Sequence, residues 1–354
     1  MLFTRAGLEQ ASSEVAARHS AARYAGARIV ADLCCGIGGN LSALVAGRRA
    51  IAVDRDLTSL EFARHNAAVC GAADGLATVC TDVRDLALAS VDAVFIDPAR
   101  RAGGRRLRAG HSEPPLTWCL ELASRIPAVG IKAAPGLPHE LVPAGWEIEF
   151  LAVGRSLKEA LLWSPALATT QRRATVLVPG AAPGPGAAPG ASLGPGSGAA
   201  PVPGAAAGLP SEHTLVPVPG EQVPVAAPGA FLLDPSPAIT RAGLVEDLAR
   251  ELGAWKIDPM IAFLAADTAL RTPFARTLRV LESAPWNEKQ FARTLRGLGI
   301  GAADIRRRGL AGDVRQIHRR LGLQGEGSAT IVITRMNGKP WGLICAAVGD
   351  GKFS

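Results

Sequence analysis

The fold is decided by residues 28–40, whose sequence is RIVADLCCGIGGN. A short aliphatic strand ends near Asp32, a glycine-rich turn spans residues 36–39, and a helical stretch, LSALVAG, follows. Such a turn between a strand and a helix lets a ligand approach the backbone and the N–H groups of the helix start. The third glycine of a dinucleotide fingerprint would fall at Leu41, which argues against NAD or FAD. A carboxylate at Asp32 would repel a pyrophosphate but suits a ligand that carries an ammonium group.

The next strands outward from this segment also end in aspartate. Asp54 closes the run AIAVD, Asp82 closes ATVCTD and Asp97 closes DAVFID. In a doubly wound sheet of order 3-2-1-4-5, ligands bind where the order reverses, between the first and fourth strands. The pattern predicts that the glycine turn and Asp97 face each other across one cleft. There Asp54 can accept hydrogen bonds from ribose hydroxyls, and Asp82 and Val83 can meet an adenine ring.

Short aliphatic runs alternate with helical stretches through the first half of the chain. Near-continuous apolar strands separated by helices predict an α/β domain whose mostly parallel sheet is covered on both faces. The last three runs, at 147–153, 159–163 and 173–178, are separated only by turns, which predicts antiparallel final strands. Residues 1–24 are amphipathic and predict an N-terminal helical segment capped by Thr4.

Composition divides the chain into domains. We expect the α/β domain over residues 25–178, a Pro/Gly/Ala-rich linker or insertion over 179–230, and a small α+β domain over 231–354. In the last domain, AITRAGLVEDLARELG predicts one helix up to Gly253, and RTLRVLE and ADIRRRG predict strands. NEKQFARTLRGLG and GDVRQIHRRLGL predict two further helices, and Asn337-Gly338 predicts the turn of a hairpin.

Composition also excludes several classes of protein. The 354 residues include 38 basic and 31 acidic ones, a net charge of +7 that is compatible with a nucleic-acid partner. No stretch approaches the roughly 20 apolar residues of a membrane span, and the N-terminus does not have the pattern of a secretory signal. The six cysteines form no CxxC pair, so neither a disulfide framework nor a metal site is indicated. We therefore expect a cytoplasmic protein with no membrane or metal partner.

Two parts of the chain are strongly basic. Five arginines and no acidic residue occur from Arg100 to Arg108, which suits either a phosphate clamp or a solvated loop. Residues 271–320 hold 12 Arg or Lys and four acidic residues, a balance of +8. This is typical of an RNA-docking module, although a GC-rich genome gives the same excess of arginine. Because few aromatic residues interrupt these arginines, recognition of folded RNA by shape and phosphate is favoured over base stacking.

Residues 28–101 resemble class I S-adenosylmethionine-dependent methyltransferases, on the stretch VADLCCGIGGN…AVDRD…CTDVRDL…VFIDPARR. The similarity is greatest to bacterial methyltransferases with a C-terminal THUMP-like domain, because LFTRAGLEQAS, LKEALLW and FLLDPSPAITRAGL match as well. The resemblance implies a Rossmann-like class I methyltransferase fold, a THUMP-like second domain, methyltransferase activity and S-adenosylmethionine as the cofactor. The cofactor-binding residues that it implies are Asp32, Cys34, Gly36, Gly38, Asn40, Asp54, Asp82 and Val83.

The candidate catalytic residues are Asp97, Pro98 and Arg100. The resemblance implies the first two, and Arg100 suits a phosphate or carboxylate on the substrate. Enzymes that methylate amino groups of nucleic acids place an aromatic residue at the fourth position of an Asp-Pro-Pro-Tyr-type motif. Here that position is Arg100, and Ala99 stands before it. CCGIGGN followed by AVDRD also resembles the cap trimethylguanosine synthases, but their Pro-Pro-Trp is absent. Asp97 and Pro98 can still align an acceptor amine, and the preferred acceptor is a nitrogen of a nucleotide in structured RNA.

Two other functions stay open at the level of sequence. One is a small-molecule or protein methyltransferase whose basic domain serves packing or oligomerisation. The other is a non-catalytic RNA-binding protein that retains the cofactor fold, since Arg100 replaces the aromatic residue. Carbon methylation through a cysteine nucleophile is not expected, because Cys119 in LTWCLEL predicts a residue of a helix core.

Overall fold

A computed structural model shows how the chain folds, and it divides the chain into two compact units, residues 1–214 and 215–354. The residues that the structure describes are 1–3, 12–72, 74–99, 101–102, 105–106, 111–179 and 211–348.

The first unit is built on a nine-stranded sheet. A short ribbon of two further strands, β5 and β6, pairs only within itself among the described residues. The strands are β1 Ile29–Leu33, β2 Arg49–Asp54, β3 Leu76–Cys80, β4 Ala93–Ile96, β5 Arg101–Ala102, β6 Arg105–Arg106, β7 Ala128–Ala133, β8 Glu147–Val153, β9 Ser156–Trp163, β10 Arg172–Val178 and β11 Ser211–Leu215.

The order of the large sheet is β11-β10-β8-β9-β7-β4-β1-β2-β3. Its run from β3 to β7 is parallel and confirms the predicted order 3-2-1-4-5. Strand β9 is antiparallel to both β7 and β8, as expected, but β10 is parallel to β8. The antiparallel prediction is wrong for β10 because β9 inserts between β7 and β8, and β10 then enters the sheet on the far side of β8.

Residues 211–215 correct the predicted boundary of the 179–230 linker, since they form strand β11 of the sheet. The physical reason is that this segment has polar partners in helix α1 and in strand β10 despite its Pro/Gly/Ala-rich surroundings. Glu212 bonds to His19 at 2.9 Å, and the Thr214 hydroxyl lies 3.3 Å from that of Thr175. Residues 180–210, the densest part of the predicted linker, lie outside the described residues.

Among the described residues of the first unit, the α-helices are α1 Glu14–Ala22, α2 Leu41–Leu44, α3 Leu57–Val69 and α4 Leu116–Glu121. Helix α1 falls within the predicted N-terminal helical segment, whereas its predicted cap, Thr4, lies outside the described residues. Tyr24 follows α1 and packs edge-on against Phe95 and Trp163, with ring centroids 6.5 and 6.0 Å away. A Cβ at Gly130 would lie 2.2 Å from the Tyr24 hydroxyl oxygen, so only glycine lets α1 close onto the sheet.

The second unit is an α+β domain around a seven-stranded sheet of order β13-β14-β12-β15-β18-β17-β16. The strands are β12 Phe231–Pro235, β13 Trp255–Lys256, β14 Leu264–Ala266, β15 Ala275–Pro285, β16 Ile300–Arg307, β17 Gly327–Met336 and β18 Lys339–Ala347. The helices are α5 Pro237–Ala242, α6 Val245–Leu252, α7 Glu288–Gly297 and α8 Val314–Leu321.

Most elements predicted for the second unit are present. The hairpin of β17 and β18 turns at Asn337 and Gly338, which both have positive φ. The single helix predicted up to Gly253 is wrong, because Gly243 adopts a left-handed φ of 69° and separates α5 from α6. Helices α7 and α8 follow side-chain caps from Asn287 and Asp313.

Candidate active site

A cleft of about 360 Å³ lies in the first unit at the carboxyl ends of β1, β2 and β4. This volume is within the usual range for a small-molecule site. Gly38 is not among the residues that line it, and Arg100 lies outside the described residues. The sequence-predicted residues that do line the cleft are Asp32, Cys34, Gly36, Asn40, Asp54, Asp82, Val83, Asp97 and Pro98.

The glycine turn is held open towards the cleft by its backbone conformation and by Asp54. Cys34 and Gly36 have left-handed φ values of 58° and 53°. The Gly36 N–H donates to Asp54 Oδ2 at 2.9 Å, and the Asp56 N–H donates to Asp54 Oδ1 at 3.0 Å. A carboxylate oxygen can accept more than one hydrogen bond, so Asp54 can also accept hydrogen bonds from the hydroxyl groups of a ligand.

Gly38 also has a packing role in the turn, beside the cofactor contact that the resemblance implies. Its φ is 82°, and a Cβ at this position would lie 3.1 Å from both Cα and Cβ of Ala63 in α3. Glycine at this position therefore lets the turn pack against α3, which fixes the shape of the cleft wall.

Asp32 is the most unusual group of the cleft. It is 1 % exposed, and neither carboxylate oxygen has a hydrogen-bond partner among the described residues. Burial, followed by the charge of Asp97, raises the pKa of Asp32 well above its ordinary value. Buried polar atoms nearly always have partners, so an orphaned carboxyl that lines a cleft fits a cationic ligand group. The ammonium group of an amino-acid moiety meets that requirement.

Asp82 is already engaged within the protein. Arg84 donates to both of its carboxylate oxygens, Nε to Oδ1 at 2.8 Å and a terminal nitrogen to Oδ2 at 2.6 Å. These hydrogen bonds to Arg84 lower the pKa of Asp82 to about 2. The same guanidinium lies 3.1 Å from Glu113, which joins Asp82 to the opposite wall of the cleft.

Asp97 and the glycine turn line the same cleft. The Lys132 ammonium donates to Asp97 Oδ2 at 2.7 Å. Ala99 and Glu113 exchange two backbone hydrogen bonds of 2.8 and 3.0 Å, which fix the chain directly after Asp97 and Pro98. The Asp97 carboxylate and the hydrogen-bonded backbone at Ala99 are therefore both fixed at the end of β4.

The sequence did not single out Lys132 or Glu113. Lys132 lies within the apolar run VGIKAA, which was interpreted as a buried strand without a role for its lysine. Its signal was available, because a lysine in a fully buried parallel strand needs a charged partner. Glu113 gave no such signal, since its pairing with Ala99 depends on the fold.

The comparisons with known proteins agree with this fold. The family model described as RNA cap guanine-N2 methyltransferase matches residues 27–105, and the model described as THUMP domain-like matches residues 275–347. An uncharacterised S-adenosylmethionine-dependent methyltransferase of Mycobacterium tuberculosis, found in strains CDC 1551 and H37Rv, is 34% identical over 348 residues. The alignment covers 95% of this chain and 85% of that protein. A crystal structure of a candidate methyltransferase from Porphyromonas gingivalis W83 has the same fold, with a TM-score of 0.69 at 19% identity over 98% of this chain and 83% of that one.

The chain belongs to the family of S-adenosylmethionine-dependent methyltransferases, given its 34% identity to the mycobacterial relative over nearly its whole length. The expected class I methyltransferase fold, the THUMP-like second domain and the methyltransferase class of the enzyme are thereby confirmed. Within the described ranges, no helix has the length and apolar character that crossing a bilayer requires. The same ranges contain no group of three or more His, Cys, Asp or Glu side chains arranged to hold a metal ion.

Proposed function

We propose that the enzyme transfers the methyl group of S-adenosylmethionine to a nitrogen of a nucleotide in structured RNA. The observation that carries the proposal is the orphaned carboxyl of Asp32 in the same cleft as Asp97. The first of these groups suits the ammonium of the cofactor, and the second suits a polar acceptor. When bound, the cofactor supplies an electrophilic methyl group on a positively charged sulfur.

Each part of the cofactor has a complementary group in the cleft. Asp32 would hold the ammonium group, and Asp54, at the end of β2, would accept the ribose hydroxyls. Val83 would pack against the adenine, next to Asp82, whose carboxylate Arg84 keeps fixed. The glycine turn would let the cofactor approach the protein backbone closely, because Gly36 offers no side chain to block it.

The acceptor would lie beside Asp97 and Pro98. A nitrogen nucleophile must be aligned with the methyl carbon, and a carboxylate that accepts its N–H provides that alignment. Cys119 is fully buried, and burial raises the pKa of its thiol to about 12, which disfavours a route through a cysteine nucleophile. Nitrogen methylation is therefore the better match to the described cleft.

The second unit supports RNA as the substrate through the basic face of α7 and α8. Phe291, Leu295 and Leu321 bury the inner sides of these helices in one apolar cluster. The exposed cations on their outer sides are Lys289, Arg293, Arg296, Arg315, Arg319 and Arg320. Arrays of this kind bind phosphates, so RNA affinity should fall steeply with salt. The basic cluster Arg100–Arg108, which belongs to the same expectation, has no described side chains.

The proposal is tested by transfer of labelled methyl groups to total cellular RNA, followed by nucleoside analysis. We expect a methylated base with the label on nitrogen. Asp97→Ala should lower kcat by about 100-fold while cofactor affinity stays nearly unchanged, because Asp97 serves the acceptor. Label in protein or small molecules but not in RNA would contradict the proposal, and so would full turnover by Asp97→Ala.

A further inference from the structure

Lys132 occupies a position in which lysine is rarely found. It lies in the interior of strand β7, follows the fully buried Ile131 and is only 5 % exposed itself. An ammonium removed from water to this degree is costly unless opposite charges surround it. The groups around Lys132 therefore define what it does.

Four charged residues form a row across neighbouring strands. Asp32 lies in β1, Asp97 directly follows β4, Lys132 lies in β7 and Glu159 lies in β9. The pairing of β1 with β4, of β4 with β7 and of β7 with β9 puts all four side chains on one face of the sheet. Three carboxyl groups and one ammonium thus share a short, largely buried stretch of surface.

The distances show which carboxylate Lys132 serves. Its Nζ is 2.7 Å from Asp97 Oδ2 but 3.7 Å from Glu159 Oε2. Glu159 Oε2 also accepts a hydrogen bond of 3.1 Å from the Ser12 hydroxyl. The side chains of Lys132 and Glu159 are 5% and 4% exposed, whereas that of Asp97 is 27% exposed. Lys132 thus contacts Asp97 from the protein interior, and of Lys132, Asp97 and Glu159 it is Asp97 that lines the cleft.

We propose that Lys132 is a positioning residue for methyl transfer: it holds Asp97 by Oδ2 so that Oδ1 accepts one N–H of a primary amino group on a nucleobase. This inference rests on the proposed function and narrows its acceptor to an exocyclic amine. The amine nitrogen forms the bond to the methyl carbon while the carbon–sulfur bond breaks and its electron pair stays on sulfur. Lys132 occupies one oxygen of Asp97, and the other oxygen aligns the amine. The proton that the methyl group displaces from nitrogen leaves for water after transfer.

The test compares Lys132→Met and Lys132→Arg with wild type in the full-length enzyme on RNA. Lys132→Met should lower kcat by about 100-fold, because an Asp97 carboxylate that is no longer held misaligns the amine. The KM for RNA and the affinity for S-adenosylhomocysteine should change by no more than about threefold. Lys132→Arg should recover at least about tenfold of the lost kcat, since it restores the charge. Lys158→Met is the matched control, because Lys158 is exposed in the neighbouring strand β9.

A kcat of Lys132→Met close to that of wild type would overturn the inference. So would equal losses in Lys132→Met and Lys132→Arg, or a loss that appears only in cofactor affinity. If wild type transfers no label to RNA, the proposed function fails instead, and urea unfolding then tests the pairing itself. Lys132→Met should destabilise the Asp97→Asn protein less than it destabilises wild type, and equal destabilisation would overturn the assigned contact.

Discussion

Two parts of the same sheet treat buried carboxyl groups in opposite ways. At the cleft, Asp32 is buried with both oxygens unpartnered among the described residues. In β8, Glu149 is fully buried but its oxygens are occupied. His19 Nε2 lies 2.8 Å from Oε1, the Trp163 indole donates to Oε2 at 2.8 Å, and the Thr175 hydroxyl donates to Oε1 as well.

Glu147, also in β8, is a second buried carboxylate whose oxygens both accept hydrogen bonds. Arg23 and Arg173 each donate to its Oε1 at 2.6 Å, and the Thr169 N–H donates to Oε2 at 2.8 Å. Burial by itself would lower the pKa of His19, but Glu149 and Glu212 outweigh it and raise the pKa to about 10. His19 is therefore a cation near neutral pH and completes the charge balance of this cluster.

The presence or absence of partners distinguishes buried carboxyl groups that stabilise the fold from one that is suited to binding a ligand. We call Glu147, Glu149 and the charged residues that contact them, directly or through His19, the β8 cluster. Its partners come from α1, β10 and β11, and the cluster joins these elements to β8 without a ligand. The cleft leaves Asp32 unmatched, and the protein bears the cost of burying it. Because an unmatched buried carboxyl that lines a cleft suits a cation, we propose that Asp32 binds the cofactor ammonium.

The largest expected effect lies in the β8 cluster. Glu149→Gln should lower the free energy of unfolding by about 3–5 kcal/mol, because it leaves protonated His19 and Arg23 short of a buried counter-charge. Urea unfolding of the variant and wild type measures the loss. Glu14→Gln is the control, since Glu14 forms an exposed pair with Arg18, and the change should alter stability by less than about 1 kcal/mol. If Glu149→Gln lowered the free energy of unfolding by no more than Glu14→Gln does, the contrast between the two regions would be contradicted.

Asp32→Asn should have the opposite signature. Its affinity for S-adenosylhomocysteine should fall by about 100-fold, because a charge-assisted hydrogen bond to the ammonium is lost. Its stability without ligand should be equal to or greater than that of wild type. A carboxyl whose folded pKa is raised costs stability above the unfolded pKa, and the amide removes that cost. Calorimetry and urea unfolding measure the two quantities. Unfolding of the variant at lower urea than wild type would show that Asp32 is structural.

The sequence predicted the cleft well because its pattern is local to each strand. Asp32, Asp54, Asp82 and Asp97 each stand at or beside the end of an apolar run, and parallel strands bring such ends to one edge of a sheet. The order 3-2-1-4-5 was expected because it is the order of a doubly wound sheet, and the structure confirms it. The partners of Lys132 were not predicted because they lie on other strands. The close approach of Gly38 to Ala63 in α3 was not predicted either, because it depends on how the turn packs against that helix.

The β8 cluster could not be predicted in the same way. Glu149 lies 130 residues from His19 along the chain, so no spacing in the sequence connects them. Strand β11 was hidden for a similar reason, because Glu212 and Thr214 reveal their role only when the sheet brings them to His19 and Thr175. Long-range charge pairing depends on the register of the finished sheet, which short motifs do not encode.

The central claim is that Asp32 is an unmatched carboxyl that meets the ammonium group of the cofactor. Its raised pKa means that free Asp32 keeps its proton to higher pH than an ordinary aspartate, and a bound ammonium would favour the ionised form. Calorimetry of S-adenosylhomocysteine binding near pH 6, in buffers of different ionisation enthalpy, measures this directly, since the ligand amine is already charged there. We predict net proton release on binding to wild type and none on binding to Asp32→Asn. Proton uptake, or equal release by both proteins, would contradict the account.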